Sequence, residues 1–455
     1  EEHTMPSTDD LWSMYGHQIL KFAAPDFDPT KQQFSMASST LSLDLGNPDP
    51  AVVNGYIYNL GNTIPAPSPC YAPGSGLFTA YQRFLDAIDL HGDTNPNLDS
   101  QINIAAANMN AAQTNFQNVQ GQAIAAWTAY KAVVPGISFS DYVTQQYLTY
   151  GQAKNALDAT TSAWQQLMTQ KYGQGYEIIA NARNRLSPTG GAADILSANS
   201  YNMAVKTGSA APAGSAPVLP GNTPPPAPSA LIPSYDPAFA LQSFTSVYQQ
   251  WQANSASKAP PAASVVMNGS SAAQGFENMG WSSESAGLFS YGFFDVWGET
   301  SSSQDTQTSF AMDSSFSMTI DFVGLNTFTI APGGWFDLGL VQSFRNQLLP
   351  GSPDLFSPAG ALARIPYQAV IGFQPKITLS MSKENFSTFA SQFQSQTTAG
   401  FGFGPFVVGE THSSTYADKS SASFDAESAT VTIAPPPSTV PVLLGVISTR
   451  LDDQA

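Results

Sequence analysis

A seam of apolar residues at heptad spacing constrains the fold of this chain more than any other feature. Across residues 98–133, apolar side chains recur at alternating steps of four and three residues, for about five repeats. This period predicts one helix about 55 Å long, with Asn95 as its N-cap and Pro96 at the first helical position. Pro135 and Gly136 end the pattern. The seam residues are Leu98, Ile102, Ala105, Met109, Ala112, Phe116, Val119, Ala123, Ala126, Tyr130 and Val133.

A second helical stretch follows after a short turn, from Ser140 to about Arg185. Its apolar residues have a similar spacing, so we expect the two stretches to pack as an antiparallel helical hairpin within residues 76–206. The residues of this second seam are Val143, Tyr147, Tyr150, Leu157, Trp164, Met168 and Ile179.

The outward face of the first long helix carries amides where a solvated coiled coil would carry Glu and Lys. Asp99 and Lys131 are its charged residues. A neutral face packs against another copy without charge repulsion or ion desolvation, but it is also soluble, so two interpretations remain: a solvated face and an assembly interface. The candidate interface residues are Asn103, Asn108, Asn110, Gln113, Asn115, Gln117 and Gln122.

Composition along the chain predicts four segments. Residues 1–75 are rich in Pro and should form an extended arm with a short strand, and residues 76–206 form the hairpin domain. Residues 207–237 are a Pro/Ala/Ser linker that builds no core. Residues 238–455 should contain a short helix, then a β-rich domain and a C-terminal tail.

The C-terminal region shows the two-residue period of β-strands. Apolar and Ser/Thr residues alternate over 316–322, 377–382 and 429–433. Such alternation predicts antiparallel strands with one buried and one polar face. The predicted fold class is therefore α+β, with a helical hairpin followed by an antiparallel β-sandwich or open barrel.

Two short sequences in this region occur twice. A Gly-Glu-Thr triplet begins at Gly298 and again at Gly409, 111 residues later, and a Thr-Ile-Ala-Pro run spans 329–332 and 432–435. Two related hairpins would explain the likeness, and so would the Ser-rich composition. The internal repeat therefore stays one of two interpretations.

The charge count excludes several classes of protein. The 455 residues include 16 Lys and Arg against 33 Asp and Glu, a net charge of −17. So few cations cannot neutralise a row of phosphates, which excludes a nucleic-acid partner and argues against binding anionic lipids by charge. With 42% hydrophobic and 11% aromatic residues the chain should fold, and no apolar run reaches the length of a transmembrane helix.

Motifs for catalysis or cofactor binding are lacking, so we predict no enzyme activity, no cofactor and no metal. The single cysteine, Cys70, has no neighbouring cation or His to activate it, and the four histidines lack zinc-ligand spacing. Residues 93–99 resemble the start of a calcium loop, but Leu98 stands where Gly is required, so helix capping is the better interpretation.

Other residues carry a functional and a structural interpretation. Glu410 and His412 would share a strand face as a proton-handling pair or as surface residues. Asn268 and Asn385 begin glycosylation sequons, which matter only in a eukaryotic secreted protein. The tryptophans that could stack on a carbohydrate, or fill a core, are Trp281, Trp297 and Trp335.

These observations favour a non-enzymatic, self-assembling protein: a homo-oligomeric subunit of an extracellular filament, tubule, surface layer or matrix. The alternative is a secreted pore-forming toxin whose amphipathic β-hairpins, including residues 316–322, insert into a membrane. A third interpretation is a carbohydrate- or partner-binding module on a stalk. The chain begins at Glu1 without an initiator Met or an apolar signal core, which we interpret as a removed leader or a start inside a precursor.

Overall fold

The computed structural model divides the chain into two units. The β unit comprises Glu1–Tyr81, Phe239–Pro332 and Pro353–Ala455, and the helical unit comprises Gln82–Ala238 and Gly333–Ser352. The structure describes residues 8–47, 50–71, 73–90, 92, 95–131, 139–186, 202–206, 234–237, 239–268, 275–282, 293–297, 315–358, 360–395, 400–409, 421–434 and 440–451.

The described residues form both helices and strands, and the named strands pair antiparallel, which confirms the α+β class. The described helices are α1 (Thr8–Ala23), α2 (Pro50–Asn62), α3 (Leu77–Ala87), α4 (Pro96–Lys131), α5 (Phe139–Gln145), α6 (Leu148–Tyr172), α7 (Gln174–Leu186), α8 (Phe244–Ala256), α9 (Leu338–Phe344) and α10 (Lys383–Ser395). The described strands are β1 (Gln32–Ser42), β2 (Thr63–Pro65), β3 (Pro73–Gly76), β4 (Asn202–Lys206), β5 (Ser234–Pro237), β6 (Phe239–Leu241), β7 (Ala263–Asn268), β8 (Phe294–Trp297), β9 (Ser317–Pro332), β10 (Arg364–Ser380), β11 (Gly400–Phe403), β12 (Phe406–Val408), β13 (Ala422–Asp425), β14 (Thr430–Ile433) and β15 (Val442–Arg450).

The main sheet of the β unit is built around two long strands, β9 and β10. They pair antiparallel, and among the described residues eight strands join this sheet. β6 and β7 pair with the other edge of β9, while β15 and then β14 pair with the other edge of β10. β1 continues the sheet beyond β15, and β13 continues it beyond β14.

Alternating burial in β9 explains how this sheet builds a core. Met318, Ile320 and Phe322 are fully buried, whereas the residues between them are half-buried. They share a core with α1, whose Trp12 and Tyr15 are inaccessible to solvent. The alternation predicted for 316–322, 377–382 and 429–433 is thereby confirmed, since these residues contribute to β9, β10 and β14.

A second packing contact of the main sheet requires a glycine. Trp251 of α8 stacks on Phe373 of β10, with ring centroids 5.9 Å apart, and meets Phe328 of β9 edge-on at 5.7 Å. Gly324 of β9 lies against the same indole, and a Cβ atom there would stand 2.2 Å from the Trp251 ring. The absence of a side chain at Gly324 is therefore what lets α8 reach the strand.

The N-terminal residues are folded into the β unit, which differs from the expected extended arm. Residues 8–71 contain α1, β1 and α2. β1 ends at Ser42, so it includes only the first two residues of the alternating run 41–45 that predicts the short strand. Among the described prolines, Pro25 and Pro29 lie between α1 and β1, and Pro50 takes the first position of α2, where a missing N–H costs nothing. Between prolines the apolar residues of α1 repeat at helical spacing, and this pattern decides the structure.

A smaller sheet contains both copies of the sequence around the Gly-Glu-Thr triplets. β8 and β12 each pair antiparallel with β11, so the two likened strands lie on opposite edges of one central strand. Residues 298–314 and 410–420 lie outside the described residues. The first Thr-Ile-Ala-Pro run ends β9, and the described residues of the second run, 432–434, lie at the end of β14. The internal repeat itself stays a prediction.

The helical unit contains α4 to α7 and the end of α3. Arg183 of α7 donates from Nη2 to the carbonyl of Leu85, at 2.6 Å, and its Nε lies 3.6 Å from the Asp86 carboxylate. The second predicted helical stretch forms three helices instead of one. The helical conformation ends between α5 and α6 and again at Gly173, whose φ is +77°. Most of the predicted linker 207–237 lies outside the described residues, and its last four residues form β5.

Candidate assembly surface

Helix α4 begins where the sequence predicts. The Asn95 side-chain oxygen accepts a hydrogen bond from the backbone N–H of Asn97, at 3.0 Å, which confirms Asn95 as the N-cap. Asp99, in the first turn, accepts a hydrogen bond from Lys171 of α6. Its carboxylate is therefore used in an ion pair. Asp93 and Thr94, which the calcium interpretation also needs, lie outside the described residues.

Three contacts define the relative direction of α4 and α6. Asp99 of α4 pairs with Lys171 at the end of α6, and the rings of Phe116 and Tyr150 lie 5.3 Å apart. The Tyr147 hydroxyl, just before α6, contacts the side-chain oxygen of Gln122 at 3.4 Å. Residue numbers rise along α4 as they fall along α6. The two helices are therefore antiparallel.

The apolar seam of α4 faces α6 but is incompletely covered. Of the ten described seam residues, Leu98, Val119 and Ala123 are buried and the other seven are half-buried. Coverage is best where α5 adds Tyr142 and Val143 around Ala123. One partner helix thus leaves the middle of the seam, from Ile102 to Phe116, partly open to solvent. Most helix bundles cover such positions with further helices.

The seven candidate interface residues lie mostly on the solvent side of α4. Asn103, Asn108, Asn110, Asn115, Gln117 and Gln122 are exposed, and Gln113 is half-buried. Six of them form two rows at seven-residue spacing, which keeps each row on one side of the helix because seven residues make nearly two turns. The first row is Asn103, Asn110 and Gln117, and the second is Asn108, Asn115 and Gln122.

The strip of α4 between the two rows was not among the candidate interface residues predicted from the sequence. At the same seven-residue spacing it contains small residues, Ala107, Thr114 and Gly121, all of them exposed. Nothing lies within 4 Å of a Cβ atom placed on Gly121. The one large apolar side chain in the strip is Ile104, which is 61% exposed. The strip could have been found in the sequence from the seven-residue spacing of its small residues.

This surface is uncharged over most of its length. Residues 100–130 contain no Asp, Glu, Lys, Arg or His, a span of about 45 Å of helix. On α6 the described ion pair Lys154–Asp158, at 2.8 Å, is exposed on both sides and stabilises little. Apart from this ion pair, the charged residues of α4 and α6 are Asp99, Lys131 and Lys171, which lie near the helix ends.

A second candidate, in the β unit, is a cleft of about 610 Å³. Asp26, Asp28, Lys31 and Tyr367 are among its lining residues. Hydrogen bonds from the Thr30 hydroxyl and N–H lower the pKa of Asp28, so this carboxylate is ionised at neutral pH. An ionised carboxylate accepts hydrogen bonds, so Asp28 could bind a donor group of a polar ligand but could not act as a general acid at neutral pH.

The remaining sequence candidates give no functional cluster. Cys70 is buried, and burial raises the pKa of its thiol. Trp281 and Trp335 are buried and offer no stacking face, and the Trp297 side chain lies outside the described part. Glu410 and His412 are also outside it. Asn268 ends β7, and Asn385 lies in the first turn of α10.

Within the described residues, no three His, Cys, Asp or Glu side chains come together as metal ligands. None of the helices in that part of the chain has the length and apolar character needed to span a bilayer.

Comparison with known proteins adds no assignment. No protein-family model, no curated protein and no solved structure matches the chain significantly.

Proposed function

We propose that this protein is a non-enzymatic structural subunit that assembles with copies of itself outside the cell, as a filament, tubule, surface layer or matrix. The observation that carries the proposal is the uncharged outer surface of α4, with its two rows of exposed amides. A second copy of this surface is the proposed partner.

Amide side chains suit contact between identical copies. An amide donates and accepts, so the same row can hydrogen bond with itself across a symmetric contact. Rows of Glu or Lys would instead place like charges together and require their desolvation. Small residues between the rows would let two helix backbones approach closely, which supports packing over solvation.

The size of a stable interface indicates that α4 does not act alone. A helix face about 45 Å long and about 10 Å wide offers roughly 450 Å². Stable interfaces bury about 800 Å² on each partner. We therefore expect α6 to share the contact. The half-buried residues of the α4 seam support this expectation, because a second pair of helices would cover them as in a four-helix bundle.

The finer architecture belongs to the same proposal. We infer that residues 76–206 act as a helical hairpin projecting the assembly surface and that residues 207–237 act as its linker to a β-sandwich. Support for a sandwich comes from the core of the β unit, in which Phe403 and Phe406 of the smaller sheet and Ile320 of the main sheet belong to one buried cluster.

Charge insertion tests the proposal directly. Asn115→Lys combined with Gln122→Glu adds two charges to one exposed row, and we expect the monomer to fold normally but the assembly to dissociate in light scattering and negative-stain images. The control is Gln249→Lys with Gln250→Glu, which adds the same charges to an exposed part of α8. A strictly monomeric unmodified chain at high concentration would overturn the proposal, as would unchanged assembly of the α4 variant.

The pore-forming alternative is less well supported by the described strands. It needs residues 316–322 to leave β9, where β7 and β10 pair on both sides and Phe322 is fully buried. Extracting such a strand would expose the core of the β unit. Dye release from liposomes at low protein concentration is the result that would favour the toxin over the structural subunit.

A further inference from the structure

Two arginines face each other at the end of the main sheet. Arg364 begins β10 and Arg450 ends β15, and the antiparallel register makes them direct partners. Directly opposite residues project from the same face of a sheet, with Cβ atoms about 4.5–5.5 Å apart. Like charges in this position repel and destabilise the pair. The arrangement is unexpected in a chain with 16 Lys and Arg among 455 residues.

No carboxylate within the described part of the chain neutralises this pair. The ion pairs found there involve Lys154, Lys171 and Arg183, and neither Arg364 nor Arg450. The Nε of Arg364 is buried without a hydrogen-bond partner. Burial, and then the charge of Arg450, lower the pKa of Arg364. The pair is therefore held at a cost that its described neighbours do not fully offset.

The surroundings of the two guanidinium groups differ in a way that suits a ligand. Arg364 is half-buried, and its guanidinium carbon lies 6.0 Å from the centre of the Trp281 ring, within range of a cation–π contact. The Trp281 side chain is itself anchored, since its Nε1 donates to the carbonyl of Phe34 at 2.7 Å. Arg450 is exposed. One cation is thus positioned by the core while the other opens to solvent.

We infer that Arg364 and Arg450 form a binding site for a doubly charged tetrahedral oxyanion, a phosphate or sulfate group. Two adjacent guanidinium groups match the two charges of such an anion, and each presents N–H donors in the planar fork that oxyanions prefer. Binding would replace the repulsion between the arginines by two charge-assisted contacts. The inference does not depend on self-assembly, because it concerns residues of the β unit alone.

Thermal unfolding of the full chain in increasing inorganic phosphate or sulfate tests this site, with sodium chloride at matched ionic strength as the reference. We expect a saturable rise in Tm with either dianion and no such rise with chloride. Arg450→Gln should weaken the apparent affinity about tenfold or more, as expected for the loss of charge-assisted hydrogen bonds. Lys383→Gln, which removes an exposed charge from α10, should leave the response unchanged.

Melting temperatures measured without phosphate distinguish a ligand-binding role of the two arginines from a purely structural one. Without phosphate, Arg450→Gln should melt at or above the temperature of the unmodified chain, because it removes the repulsion. Arg364→Lys keeps the positive charge but loses the planar N–H donors of the guanidinium group, so this variant should also bind phosphate or sulfate more weakly. An equal Tm rise in Arg450→Gln, an equal rise with chloride, or no saturable rise in the unmodified chain would each overturn the inference.

Discussion

Lys171 donates a hydrogen bond from Nζ to the Asp99 carboxylate, joining the last turn of α6 to the first turn of α4. Each charge also lies where the helix dipole favours it, the anion near an N-terminus and the cation near a C-terminus. The pair therefore specifies the antiparallel alignment of the two helices by electrostatics as well as by packing.

This ion pair predicts an alkaline limit to the stability of the helical unit. The hydrogen bond to Asp99 raises the pKa of Lys171. A raised folded-state pKa contributes stability below the unfolded value of about 10.4, and the contribution is lost as the pH rises through the folded value. Asp99→Asn should lower the Tm of the helical unit at pH 8, and the difference from the unmodified chain should shrink as the pH rises beyond the unfolded value of about 10.4. A difference that stays constant with pH would contradict this cause.

The N-cap of α4 predicts a measurable loss on truncation. Asn95→Ala removes the oxygen that accepts the Asn97 N–H and should lower the free energy of unfolding by about 0.5–2 kcal/mol. Asn97→Ala is the matched control, since Asn97 takes part through its backbone and its side chain is not needed for the cap. Denaturant unfolding of both variants is the measurement, and equal losses would show that the cap does not act as described.

The contact between Gly324 and Trp251 predicts opposite signs for the same substitution at two sites. Gly324→Ala should destabilise the β unit by about 1–3 kcal/mol, because the new Cβ atom would overlap the indole. Gly151→Ala lies in α6 with nothing within 4 Å and should stabilise its helix by about 0.5–1 kcal/mol. Urea unfolding distinguishes them, and a tolerated Gly324→Ala would mean that α8 can move away.

Burial predicts that the single thiol is unreactive in the folded protein. Burial raises the pKa of Cys70, which reduces the thiolate fraction, and the thiolate is the reactive form. A thiol reagent at pH 8 should label the native chain slowly and the urea-unfolded chain at the rate of a free cysteine. Fast labelling of the native chain would show that this part of the β unit opens readily.

The structure follows the sequence prediction more closely in α4 than in the N-terminal residues, for a physical reason. In α4, local signals agree: the cap, the seam and the absence of charge all act within one helix, so Asn95, Pro96 and the rows of amides were predictable. In the N-terminal residues, local signals conflict. Prolines suggested an arm, whereas the apolar face of α1 is stabilised by strands that come some 250 residues later in the sequence.

The sequence by itself determined the α+β class, the uncharged surface of α4 and the alternating strands, because each depends on the spacing of neighbouring residues. Only the tertiary structure decided which residues meet across long separations. The register of β10 with β15 brings Arg364 opposite Arg450, and the fold of the β unit places Trp281 beside Arg364. Such contacts depend on the pairing of distant strands, which the periodicity of each strand does not specify.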